Sequence, residues 1–117
     1  MATDDFKTLQ KIEDMMEYAY PALAQFPKAE KFSLAQDIRH GMNLLLELTI
    51  TEDKKYTKKT TLENMDIECT KLKVYIRLAM KLKFISFHRY EVWEGMLVEI
   101  GKMIGGLIKS ISGRPKS

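Results

Sequence analysis

One cysteine, two histidines, three prolines and no long apolar run are as informative in this 117-residue chain as what it contains in abundance. A single cysteine excludes an internal disulfide framework. Cys69 falls on an apolar helical pattern, so its expected state is a buried thiol in a reducing compartment. No stretch offers 18 uninterrupted apolar residues, and the opening MATDDFKTLQ has no basic segment followed by an apolar one. Neither a membrane span nor a signal peptide is expected, and the default location is the cytoplasm. Gly101, Gly105 and Gly106 lie in a helical pattern with no strand before them, which excludes a phosphate-binding loop. Neither His40 nor His88 has a glutamate three residues before it, so the Glu-x-x-His pairs of bundle di-metal sites are missing. No metal and no cofactor are expected. The carboxylates are scattered over helix exteriors and supply no nucleophile, base and orienting group for one pocket. The chain reads as non-enzymatic, and His40 receives no role.

Charge is present and unevenly spread. Residues 1–50 carry 8 acidic and 5 basic side chains, net −3, whereas residues 51–117 carry 8 acidic and 14 basic, net +6, which together make the overall +3. The second half is the one suited to an anionic partner.

With no sustained alternation of apolar and polar residues, strands are not expected. The apolar spacing predicts one all-α domain over 1–117, with helices over about 4–25, 29–51, 61–83 and 87–111. Thr3 or Asp4 is the expected cap of the first helix, whose seam is Leu9, Ile12, Met16, Ala19, Leu23 and Phe26. The seam continues past Pro21, which predicts a kink rather than an end. Phe26-Pro27-Lys28 is a break. The second helix repeats the seam with Phe32 or Ala35, then Ile38, Met42, Leu45 and Thr49, and Leu34, Leu44, Leu46 and Leu48 widen its apolar arc. EDKKYTKK, at 52–59, reads as the longest and most mobile loop. Its Lys54, Lys55, Lys58 and Lys59 flank Tyr56, an arrangement able to hold single-stranded nucleic acid, although the same composition is ordinary for a solvated loop. Thr60 and Glu63 form a capping box, and Ser86 is the expected cap of the fourth helix. There Tyr90, Trp93, Leu97, Ile100, Ile104, Leu107 and Ile111 make the cleanest seam, and its glycines predict a tight helix contact near Gly101 and Gly105. The tail, 112–117, is disordered by composition. Four segments of about 20 residues, each near 30 Å long, give an up-down-up-down four-helix bundle.

The third helix organises the rest. Leu62, Met65, Cys69, Leu72, Ile76 and Ala79 step by 3 and 4 and form the inner seam. Ile67, Val74, Leu78 and Leu82, with Tyr75 at the margin, point to roughly the opposite side. One bundle cannot readily bury both faces, so Ile67, Val74, Leu78 and Leu82 are assigned to a subunit contact. Lys73, Arg77 and Lys81 repeat every four residues in the gap between the faces, and Lys83 follows at the helix end. Such a stripe is ordinarily a solvated face.

Taken in order, Tyr20-Pro21, then Phe26-Pro27-Lys28 with Glu30, Phe32, Leu34 and Ile38, then KLKVYIRLAMKLKFIS and finally EIGKMIGGLIK resemble the Avd family over nearly the whole chain. These are the accessory variability determinants of diversity-generating retroelements, which are similar to the four-helix-bundle proteins encoded in 23S rRNA intervening sequences. The resemblance implies a homopentameric barrel that binds RNA or DNA through its basic surface without sequence preference. It further implies association with the retroelement's reverse transcriptase in mutagenic copying. Five copies would pool about +15 of charge. The family offers no catalytic residues to carry over, and no motif that fixes its binding residues. Lys73, Arg77, Lys81 and Lys83 are therefore candidates by stripe geometry, beside the loop lysines. The alternative is a structural, protein-contacting bundle of the intervening-sequence type with no nucleic-acid role.

Overall fold

The computed structural model describes residues 3–54 and 59–112, with side chains over 6–51 and 59–111. Four helices, α1 (Thr3–Ala24), α2 (Leu34–Lys54), α3 (Lys59–Lys81) and α4 (Phe87–Ser112), are joined by short links, and no strand occurs among the described residues. Each helix packs against two others: α1 against α2 and α4, α3 against α2 and α4. The result is a four-helix bundle about 53 Å long and 20–22 Å across. No described helix is long and apolar enough to cross a membrane.

The inner seam of α3 is as the spacing predicts, with Leu62, Met65, Cys69, Leu72, Ile76 and Ala79 all buried. On α4, Trp93, Leu97, Ile100 and Ile104 are buried, with Tyr90, Leu107 and Ile111 packed at the edge. In α1 the buried set is Thr8, Ile12, Met15, Ala19, Ala22 and Leu23, with Phe26 buried just after the helix, so Leu9 and Met16 of the expected seam stand at its margin. Ile12, Ala19 and Leu23 stay inward, and the arc is widened toward Thr8, Met15 and Ala22, because α1 must face both α2 and α4. Helix α1 runs through Pro21 to Ala24; Pro21 is exposed and has no N–H to leave unpaired. Cys69 donates its thiol hydrogen to the Leu97 carbonyl on α4 at 3.3 Å, and burial pushes its pKa up to about 11. The buried Thr49 hydroxyl is satisfied within its own helix by the Leu45 carbonyl at 2.8 Å.

Several boundaries differ from expectation. Helix α2 starts at Leu34 and not near Ala29, because Pro27 opens a 3-10 turn, Lys28–Glu30, closed by the Glu30 N–H on the Pro27 carbonyl at 2.9 Å. Ser33 then leads into the helix: its carbonyl accepts from the Asp37 N–H at 2.9 Å and its hydroxyl donates to Glu30 Oε2 at 2.6 Å. The extra turn throws Phe32 outward, 88% exposed, and Ala35 takes the core position. Helix α2 continues to Lys54, past the expected stop at Thr51, and α3 is already helical at Lys59. Thr60 therefore lies inside the first turn and cannot cap it. The expected Thr3 or Asp4 cap lies outside the described side chains. Of the expected 52–59 loop, residues 52–54 belong to α2 and Lys59 to α3, while 55–58, like the 113–117 tail, lie outside the described residues. At α4 the Ser86 cap is present, its Oγ accepting from the Arg89 N–H at 3.1 Å.

The glycine expectation needs the larger correction. A Cβ at Gly101 would meet Lys73 Nζ at 3.6 Å and Cys69 Sγ at 3.8 Å, ordinary contacts, and one at Gly95, Gly105 or Gly106 would meet nothing within 4 Å. The close approach is at Gly41 on α2, where a Cβ would lie 2.9 Å from Leu72 Cδ2 and 3.7 Å from Glu68 Oε1 on α3. The missing side chain at Gly41 gives room for Leu72 and for Glu68, which is 7% exposed and pairs with Lys71 at 3.2 Å.

Helix α3 ends in a Schellman motif, with the Phe84 N–H on the Ala79 carbonyl at 2.8 Å and the Lys83 N–H on the Met80 carbonyl at 3.0 Å. The left-handed position belongs to Lys83, at φ 65°, the only positive-φ residue among those described. Glycine is the usual occupant; a lysine there costs roughly 1–2 kcal/mol.

Three outcomes are expected in equilibrium denaturation. Gly41→Leu lowers stability by about 1–3 kcal/mol through overpacking against α3. Lys83→Gly raises it by about 1 kcal/mol by relieving the αL strain. The raised pKa of Cys69 means the folded state holds a proton that the unfolded state loses from about pH 9. Stability relative to Cys69→Ala therefore falls as pH rises from 9 toward 11, and a pH-independent difference between the two proteins contradicts this.

Candidate nucleic-acid interface

On α3 the side opposite the buried seam is apolar and uncovered: Ile67 is 56% exposed, Val74 45%, Leu78 43% and Leu82 49%. All four are the residues assigned to a subunit contact from sequence. Tyr75 packs partly against the core, as its marginal position predicts.

The candidate cations do not form one cluster. Lys59 begins α3 and Lys81 ends it, about 33 Å apart for 22 steps of 1.5 Å. Lys55 and Lys58 lie outside the described residues, and Lys54 closes α2 with its side chain not described. Lys73, Arg77 and Lys81 follow one edge of α3, the edge facing α4. Lys73 is half-buried, its Nζ over Gly101 and near the Cys69 thiol. Arg77 is exposed and acts on Tyr90 of α4 from the opposite sense to Glu94. Partial burial and the Glu94 carboxylate raise the Tyr90 pKa, while the Arg77 guanidinium lowers it. Glu94, on the same helix, and Arg77, from across the α3–α4 groove, thus both act on Tyr90. Lys81 and Lys83 are exposed at the α3 terminus, where no acidic partner is found among the described ion pairs.

Sequence reasoning missed three further cations at that end. Because successive helices run in opposite directions, the α1–α2 turn and the α3–α4 turn share one end of the bundle. The Phe26 and Phe84 rings meet there, centroids 5.5 Å apart. This brings Lys28 and Lys31 to the same end as Lys81, Lys83 and Arg89. Arg89 stacks its guanidinium over Tyr18 of α1, 5.7 Å from the ring centre. The up-down topology alone, combined with the Phe26-Pro27-Lys28 break, would have revealed the grouping. Along the α1–α4 side, Lys11 pairs with Glu99, and this partner raises the Lys11 pKa. Lys11 is thereby occupied within the fold.

Among the described residues, no group of three or more His, Cys, Asp or Glu side chains is arranged to hold a metal ion. The high pKa of Cys69 keeps it a protonated thiol near neutral pH, which is unsuited to nucleophilic work. What the surface offers is physical: an apolar strip, a cationic edge beside it, and a basic end.

Comparison with curated proteins gives no match. The family model described as bAvd-like matches residues 7–111, from the first helix to the last turn of the fourth. The chain accordingly belongs to the bAvd-like family.

Proposed function

We propose that this chain is a non-catalytic, nucleic-acid-binding accessory subunit of a diversity-generating retroelement, acting as a homo-oligomer, a pentamer, alongside the element's reverse transcriptase. The observation that carries the reading is the two-sided third helix: an uncovered apolar strip of Ile67, Val74, Leu78 and Leu82 bordered by Lys73, Arg77 and Lys81, on a chain of this family. Covering the exposed half of each of the four side chains is worth on the order of 1 kcal/mol, a favourable start for self-association. Gly95, Gly105 and Gly106 add support. Each lies in α4 with open space beyond it, so the helix forgoes about 0.8–1.0 kcal/mol per position without a compensating contact inside the chain. A second protomer approaching closely would supply one.

Assembly and binding reinforce each other in this reading. One protomer at +3 attracts phosphate weakly, whereas a ring of copies multiplies the field and aligns several lysine edges along one strand. Contacts from Lys73, Arg77, Lys81 and Lys83 would go to phosphate and not to base edges, which makes binding indifferent to sequence.

Two measurements test this. Val74→Asp or Leu78→Asp should give smaller species in sedimentation with far-UV helicity retained; an unchanged mass overturns the assigned interface. Affinity for RNA or DNA should fall steeply with salt. The triple change Lys73→Ala, Arg77→Ala and Lys81→Ala should lower the slope of log K against log salt by roughly 2–3. Absence of binding at low salt, with assembly intact, would assign the chain instead to the structural, protein-contacting type of bundle.

A further inference from the structure

The bundle end formed by the α1–α2 and α3–α4 turns combines three features that the stripe on α3 lacks. It has two large exposed rings, Phe32 at 88% and Phe87 at 61%. It gathers Lys28, Lys31, Lys81, Lys83 and Arg89, against which stands Glu30, whose carboxylate accepts from the Ser33 hydroxyl. And it contains a groove of about 470 Å³ lined by Gln25, Lys83, Phe84, Ser86, Phe87 and Arg89 among others. Phe87 is set beside Tyr90, ring centres 6.2 Å apart, which limits the ordering cost of using its outer face.

Lys83 adds an independent argument. A glycine would satisfy the Schellman turn without strain, yet the chain holds a lysine at φ 65°, directing a cation to the groove rim. Strain kept at an exposed turn residue that makes no ion pair in the described structure points to use of the side chain.

We propose that this end is a stacking platform for single-stranded nucleic acid, with a base laid on Phe87 over the groove, a second on Phe32, and the backbone phosphates held by Lys83, Lys81 and Arg89. The inference rests on the nucleic-acid reading above and deepens it, since it names unpaired strands as the preferred ligand and a place other than the α3 edge. Exposed aromatics among cations discriminate in that sense. Unstacked bases can lie on a ring, whereas bases inside a duplex present no free face. An apolar partner would use the rings but not five cations; a duplex would use the cations but not the rings.

The test measures binding of the full-length protein to a labelled 20-nucleotide oligo(dT) and to a mixed-sequence 20-base-pair duplex at several salt concentrations. Phe87→Ala is expected to weaken oligo(dT) binding about 5- to 160-fold, the range for losing one stacked base, with duplex affinity within about twofold of the parent. Phe32→Ala should give a further loss in the same sense. Lys83→Gly, which relieves the turn and so cannot act by unfolding, should bind oligo(dT) several-fold more weakly and lower its salt slope by about one. Unchanged oligo(dT) binding in both phenylalanine variants overturns the platform and leaves the nucleic-acid reading standing. Equal losses for both ligands overturn it too, reducing the end to a phosphate contact. Failure of the parent protein to bind either ligand at low salt removes the underlying reading and the platform with it.

Discussion

Helix α3 is flanked by α2 and α4, and it carries apolar side chains around more of its circumference than those neighbours reach. Its inner seam is closed to solvent while Ile67, Val74, Leu78 and Leu82 each keep close to half or more of their surface in water. Much of the surrounding architecture follows from how tightly the inner side is seated. Gly41 lets α2 close on Leu72 and Glu68, and the Cys69 thiol bonds the Leu97 carbonyl of α4, so α3 is fixed from both flanks. With no freedom to rotate, it cannot turn its outer residues inward, and their exposure is a property of the fold and not of a loose packing choice.

The sequence made α3 and α4 legible because their 3-4 spacing is strict, and a strict seam identifies its own inner face without knowledge of the partner. Helix α1 was less so. Leu9 and Met16 compete with Thr8 and Met15 for the same arc, and hydrophobicity favours the former pair; only the placement of α2 and α4 decides for the latter. Phe32 and Ala35 could not be told apart for a local reason, since nothing in their spacing signals that a 3-10 turn after Pro27 delays the helix to Leu34. Glycine was the hardest residue to read. Gly101 and Gly105 draw notice as a helical pair, but whether a missing side chain serves a contact depends on another helix, and for Gly41 that partner is 31 positions away at Leu72.

The candidate site was partly legible in the same way. Periodicity placed the apolar strip, Arg77 and Lys81 on the surface, where they are, but gave no sign that Lys73 is half-buried. It could not show that Glu94 shares Tyr90 with Arg77, or that Lys73 lies against Gly101, because both are relations across the α3–α4 groove. Nor could it distinguish a cation at rest from one held at a cost. Lys81 and Lys83 look alike in sequence, yet one ends a regular helix and the other occupies a left-handed turn position.

The lone tryptophan of this chain, Trp93, is fully enclosed in the core, six residues and about 9 Å of helix after Phe87 at the start of α4. Its fluorescence should therefore report on melting of the helical interior, since the ring leaves its apolar surroundings only when the core opens. That enclosure gives the molecule a built-in optical gauge of integrity, against which loss of binding in a surface variant can be judged without a label.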